Sequence, residues 1–291
     1  MTSMQVAIGM IPEPARDCAA APTALTDQTI SERVEKVLAR MGELKLDQLV
    51  IYCDVEHAGN FTYLAGFFTR FEEGLLVVDA SGSMCFVLGN ENFNKAGKAR
   101  LDARAVLAPV FSLPNQPDTV RQPLTELLRE AGIERGARVG LAGWKLFASA
   151  GEAPDGADER FDVPAFIVEA LRAAAGEGGT VVNAMNVFIG PGGVRTTNNA
   201  NEIAHYEFGA ALASDGMLDA LDAVMPGVSE MDLGDKLARR GRHTNVVTIA
   251  ASGPRFVGAN MFPSENTVKW ATRYRLRWAM PAACRAGPHT R

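Results

Sequence analysis

The chain has 291 residues, 47% of them hydrophobic and 22% charged, with a formal net charge of -5; this is the balance of a globular protein with room for two domains. No basic stripe runs through its body, which sets nucleic-acid partners aside, and no window approaches the roughly 18 uninterrupted apolar residues that span a bilayer. Met1 to Met10 has no basic stretch ahead of its short apolar run, and Cys18, Cys53, Cys85 and Cys284 are scattered without C-x-x-C spacing. A cytoplasmic protein with no secretory signal, zinc knot or disulfide frame is therefore expected.

Residues 1–28 are rich in Ala, Pro and Thr and show no sustained periodicity, so they read as a loosely ordered arm. From Ser31, placed as an N-cap, Val34, Val37, Leu38, Met41 and Leu44 recur at helical spacing. Gln48–Cys53, Gly74–Asp79 and Ser83–Leu88 are apolar runs of strand type, the last two joined by a hairpin turn at Ala80-Ser-Gly-Ser83. A helix over Thr119–Ala131, a strand at Arg138–Leu141, a helix over Val163–Ala175 and a strand at Thr180–Asn183 complete an alternation that predicts an α/β domain over 29–190.

Pro191-Gly-Gly193 and the polar run Thr196–Asn201 mark a boundary. Beyond it the pattern predicts one long helix from about Asn201 to Val224, a stop at Met225-Pro-Gly-Val-Ser229, a second helix carrying Leu233 and Leu237, and a strand at Val246–Ala250 before Ser252-Gly-Pro254. The second domain, 196–269, thus opens as α-α-β.

Three stretches, in this order, resemble a known family: Asn60-Phe-Thr-Tyr-Leu-Ala-Gly66, Asn201-Glu-Ile203 opening an alanine-rich helix, and Met225-Pro-Gly-Val-Ser-Glu230 with Leu233. They resemble the creatinase and Xaa-Pro aminopeptidase family, which includes the prolidases, over residues 31 to 269. The resemblance implies a creatinase-like N-terminal α/β domain followed by the first α-α-β part of a pita-bread catalytic domain. It also implies a hydrolase ancestry, with peptide or small amide and guanidino substrates, and a homodimer formed through the N-terminal domain.

Metallo-members of that family use two divalent ions held by two Asp, one His and two Glu, which acidify a bridging water. Those ligands lie beyond a Gly-Asp turn that should follow Val268-Lys269 and is absent here, so no cofactor is expected in this chain. The family's loop His, seven residues past the Gly of Ser-Gly, falls on Asn260, which cannot shuttle a proton near neutral pH. In creatinase-like dimers the N-terminal domain lends residues from the region of Phe67-Phe-Thr-Arg-Phe71 to the neighbour's site, which makes Arg70 and Phe71 the candidate substrate-binding residues.

Residues 270–291 differ from the rest of the chain: five Arg, one His, no acidic residue and two of the three Trp. Read from the third base of each codon, Trp270-Ala271 can give the missing Gly-Asp, so the segment is expected to be out-of-frame translation. The re-read frame offers Thr-Val where the first metal Asp belongs, which implies a parent resembling the metal-free creatinase branch, yet creatinase keeps the loop His that Asn260 replaces, so the parent fits neither branch cleanly.

Other residues invite sharper readings than they support. His57 reads as a solvent-facing or structurally bonded histidine, and Glu202 with His205 as a surface pair on the long helix. Asp155, Asp158 and Glu159 lack EF-hand spacing, and Gly190-Pro-Gly-Gly193 lacks the Lys-Ser/Thr of a phosphate loop. The sequence therefore predicts a family hydrolase homologue inactive as this chain, or a non-catalytic dimerisation or ligand-binding module of the same ancestry.

Overall fold

The computed structural model describes residues 10, 12, 14–16, 22–118, 121–147, 160–237, 247–258, 261–270 and 274–277. The chain divides into two compact units, one of Ala24–Ile203 and one of Met1–Thr23 with Ala204–Ala283.

The first unit is an α/β domain on a six-stranded sheet: β1 (Gln48–Cys53), β2 (Gly74–Asp79), β3 (Met84–Leu88), β4 (Arg104–Leu107), β5 (Arg138–Ala142) and β6 (Thr180–Asn183), in the order β4-β3-β2-β1-β5-β6. β2 runs antiparallel to both neighbours, whereas β1, β5 and β6 are mutually parallel and β4 is parallel to β3. All six residues of β1 are buried, as a strand covered on both faces requires. Alternation sorts them: Val50 and Tyr52 face Val77, Val139, Leu127 and Leu171 on one side, while Leu49, Ile51 and Cys53 face Val37, Met41, Phe61 and Phe188 on the other. The first layer is supplied by helices α3 (Leu124–Glu130) and α4 (Ala165–Ala175), the second by α1 (Asp27–Glu43) and α2 (Gly59–Ala65).

Four local features depart from the sequence reading. α1 starts four residues before Ser31, because the Thr26 hydroxyl accepts from the Thr29 amide at 3.1 Å and Asp27 occupies the first turn. The Asn60 motif, for which the sequence predicts no helix, is the two-turn helix α2, closed by Gly66 at φ 75°; seven residues are too few to display a period. β4 is a four-residue edge strand without a sequence signal. α3 begins only after Pro123 rather than at Thr119, since the residue before a proline is driven out of helical conformation.

α5 (Ala200–Asp222) starts at the end of the first unit and continues into the second, which adds α6 (Glu230–Leu237), β7 (Ile249–Ser252), α7 (Pro254–Gly258) and β8 (Tyr274–Arg277). Its small core gathers Phe208, Leu212, Ala220 and Leu237, with Leu276 against them. The Pro-Gly turn after α5 is stitched down: Gly227 N–H donates to the Val268 carbonyl and Val268 N–H to that of Val228, both at 2.9 Å. β8 falls inside 270–291, where the sequence shows no period, and pairs antiparallel with β7 from Ile249↔Arg277 to Ser252↔Tyr274. The arm is engaged too, Arg16 pairing with Asp219 and Asp222 on α5. Among the described residues no helix is long and apolar enough to cross a membrane.

Candidate functional site

The segment Phe67–Phe71 enters β2 at the end of the sheet where β1 leaves. Phe67 packs against Phe61 and Phe86, both at 5.4 Å between ring centroids. Thr69 is fully buried with its hydroxyl 3.0 Å from the Cys53 sulfur; burial pushes that thiol up to about 11, so it is not a nucleophile near neutral pH.

Asn92, also fully buried, brackets Arg70. Its Oδ1 accepts from the Arg70 amide (3.1 Å) and from Lys95 Nζ (2.7 Å), and its Nδ2 donates to the Arg70 carbonyl (3.1 Å) and the Glu72 carboxylate (2.7 Å). Glu72 accepts in addition from Glu91 N–H at 3.1 Å. A Cβ on Gly89 would stand 2.7 Å from that carboxylate, so any larger residue there would displace Glu72 from its seat.

Between these anchors Phe71 is left 68% exposed at φ 69°, a backbone state that costs a non-glycine residue about 1–3 kcal/mol. Arg70 lies over its ring at 5.5 Å. The two candidate substrate residues are thus neighbours on one exposed, rigidly seated tip.

The Asn60 motif does structural work. Asn60 Nδ2 donates to the Gly143 carbonyl at 2.9 Å, and its Oδ1 accepts from Arg195 Nη1 at 2.6 Å. The Tyr63 ring lies 4.3 Å beneath the Arg33 guanidinium, which donates to the Tyr63 carbonyl (2.8 Å) and to Glu202 (2.7 Å). Glu202 and Asn199 exchange reciprocal 2.9 Å bonds as a capping box at the start of α5. The expected surface pair is therefore corrected: Glu202 is 1% exposed and ion-paired to Arg33, and His205 is 3% exposed with Nδ1 2.6 Å from the Thr23 carbonyl. The i,i+3 spacing is visible in sequence; that Glu202 faces a buried cation 169 residues earlier is not.

His57 is structurally bonded, its Nδ1 2.9 Å from Asp54 and its ring stacked on Trp144 at 4.2 Å and 17°. Burial raises the Asp54 carboxyl, but the bonds from the His57 side chain and the His57 and Glu56 amides outweigh it and leave it below the ordinary carboxylate range. Tyr52 hydrogen-bonds Asp54 at 3.2 Å and is pushed far above the usual phenol range, first by burial. These contacts fix the end of β1 and offer no activated nucleophile.

In the second unit Glu230 is buried, 1% exposed. It accepts from Ser252 N–H (2.7 Å), Ser252 Oγ (3.0 Å), Asn266 Nδ2 (3.0 Å) and Ser264 Oγ (2.7 Å), and from Arg255. Burial alone would raise its carboxyl; the Asn266, Ser264 and Ser252 bonds hold it below the ordinary range. It is fully engaged in joining α6, β7 and the 264–266 segment.

Asn260 and the acidic loop of Asp155, Asp158 and Glu159 lie outside the described residues. Among those described, no group of three or more His, Cys, Asp or Glu could hold a metal ion, so the described residues do not fit a two-metal centre.

Solved structures share this architecture. The chain superposes on recombinant prolidase from Thermococcus sibiricus with a TM-score of 0.61 at 14% identity, covering 86% of this chain and 62% of that one. For the X-Pro aminopeptidase from Thermotoga maritima the TM-score is 0.59 at 13% identity, covering 85% and 61%. For the Xaa-Pro dipeptidase from Bacillus anthracis it is 0.58 at 16%, covering 86% and 61%. The fold is that of the proline-specific dipeptidases and aminopeptidases, of whose length the chain spans about three-fifths. No family model and no curated protein matches the sequence.

Proposed function

We propose that the chain is a homologue of the creatinase and Xaa-Pro aminopeptidase hydrolases and does not catalyse their reaction on its own. One observation carries the reading: prolidase-type architecture over 86% of the chain accompanies residues of which no described group could ligate metal. Asn260 in the family's loop-His position removes the proton shuttle as well. In this reading the protein is cytoplasmic and forms a homodimer through the first unit, with Arg70 and Phe71 directed to a peptide or small-molecule substrate of the neighbouring copy. Residues 270–291 are out-of-frame translation, which sequencing of the coding DNA across codons 265–291 tests.

The purified chain should show no hydrolysis of Xaa-Pro dipeptides with added manganese or cobalt; metal-dependent turnover would overturn the reading. A second reading, a non-catalytic dimerisation or binding module, is favoured by the extensive packing of the first unit on both faces of its sheet.

A further inference from the structure

We propose that the N-terminal arm is a strap on α5, pivoted at residues 23–27 and latched through Arg16, and that rising ionic strength opens the latch. This is independent of the hydrolase ancestry and concerns how the second unit is kept ordered.

The pivot is densely bonded. His205, 3% exposed, has Nδ1 2.6 Å from the Thr23 carbonyl. Asn201 donates to the Ala24 carbonyl at 3.0 Å and accepts from the Thr26 amide at 2.9 Å, and Arg100 grips the Leu25 carbonyl and the Asp27 carboxylate. Upstream, Arg16 is the one charged side chain among the described residues of the arm. It reaches the opposite end of α5, its Nε 3.4 Å from Asp219 and its Nη2 on Asp222.

Those two carboxylates stand in the last turn of α5, which has no basic residue of its own. They therefore face the negative end of the helix dipole, and each other at i,i+3, with no counter-charge from the last turn itself. Arg16 supplies the missing cation. Its side chain is 40% exposed, those of Asp219 and Asp222 35% and 61%, so dissolved salt screens the latch. The Asn201 bonds at the pivot join neutral groups and escape that screening, so the strap opens from its Arg16 end. The same half of α5 brings Leu212 and Ala220 to the small core on Leu237, and loosening the helix end loosens that core with it.

Hydrogen–deuterium exchange of the full chain tests this. At about 0.01 M salt, where charges act over about 30 Å, Arg16→Gln should lower the protection of residues 212–222 about two- to fivefold. Raising the parent to about 1 M salt, where that range falls to about 3 Å, should do the same, and should have little effect on the variant. In an Asp219→Asn, Asp222→Asn background Arg16→Gln should change nothing further. Unaltered protection of β1 and β2 confirms in each case that the chain is folded. Protection of 212–222 that is indifferent to Arg16→Gln, or an equal loss from it in both backgrounds, would overturn the latch. A salt response of the same size in parent and variant would overturn the role of ionic strength.

Discussion

Arg33 and Glu202 illustrate how a motif residue and its meaning separate. Their side chains are 4% and 1% exposed and meet at 2.7 Å, so the charge of either is tolerable only because of the other. Glu202→Ala should cost about 3–5 kcal/mol in chemical denaturation, whereas the double replacement Arg33→Met, Glu202→Leu should recover most of that loss. Equal destabilisation by both would show that the pair is net favourable rather than mutually compensating. Asn60, on the same short helix as Tyr63, has buried partners of its own: Asn60→Ala strands the Gly143 carbonyl and an Arg195 donor and should cost about 1–3 kcal/mol, read from the shift in denaturation midpoint at constant slope. Asn60, Tyr63, Gly66 and Glu202 could all be picked out from sequence. Their partners Arg33, Gly143 and Arg195 could not, because each contact closes over a long separation that local spacing does not encode.

At the scale of elements, α6 and β7 are joined through Glu230. Its folded carboxyl lies below the ordinary value of 4.5, so the stability it contributes is present above that value and is lost as the pH falls through the lower folded value. The difference in stability between the parent chain and Glu230→Gln should therefore be large at pH 7 and shrink as the pH falls below 4.5; thermal melts at pH 7 and through that acid range check this, and a gap that stays constant would contradict it. Long elements such as α1 and α5, and the first three strands with their unbroken apolar runs, are legible in sequence. α2 and β4 are not, being too short to carry a period, and neither is β8, whose pairing with β7 depends on a partner strand rather than on its own pattern. Asn92 was missed for a related reason: an asparagine in a connecting segment looks like a turn residue until the loop it brackets is placed beside it.

At the scale of the molecule, the two units differ in how much apolar surface they bury. The first sandwiches a six-stranded sheet between two apolar layers; the second rests on a two-stranded sheet and a small core, with Met225, Phe262 and Trp270 at 57%, 66% and 85% exposure. Short sheets with open edges are marginal on their own, so limited proteolysis should degrade the second unit first and leave a resistant species within residues 24–203; simultaneous loss of both would contradict that. The α/β class could be read from the alternation of helices with apolar strands, and the prolidase-type order of elements from three short motifs. Peptidase chemistry does not follow from that order, because it depends on a handful of ligands rather than on the scaffold. Calorimetric titration of the purified chain with manganese tests this separation most directly: the account predicts no stoichiometric binding, and two sites filled at micromolar or tighter affinity would contradict it.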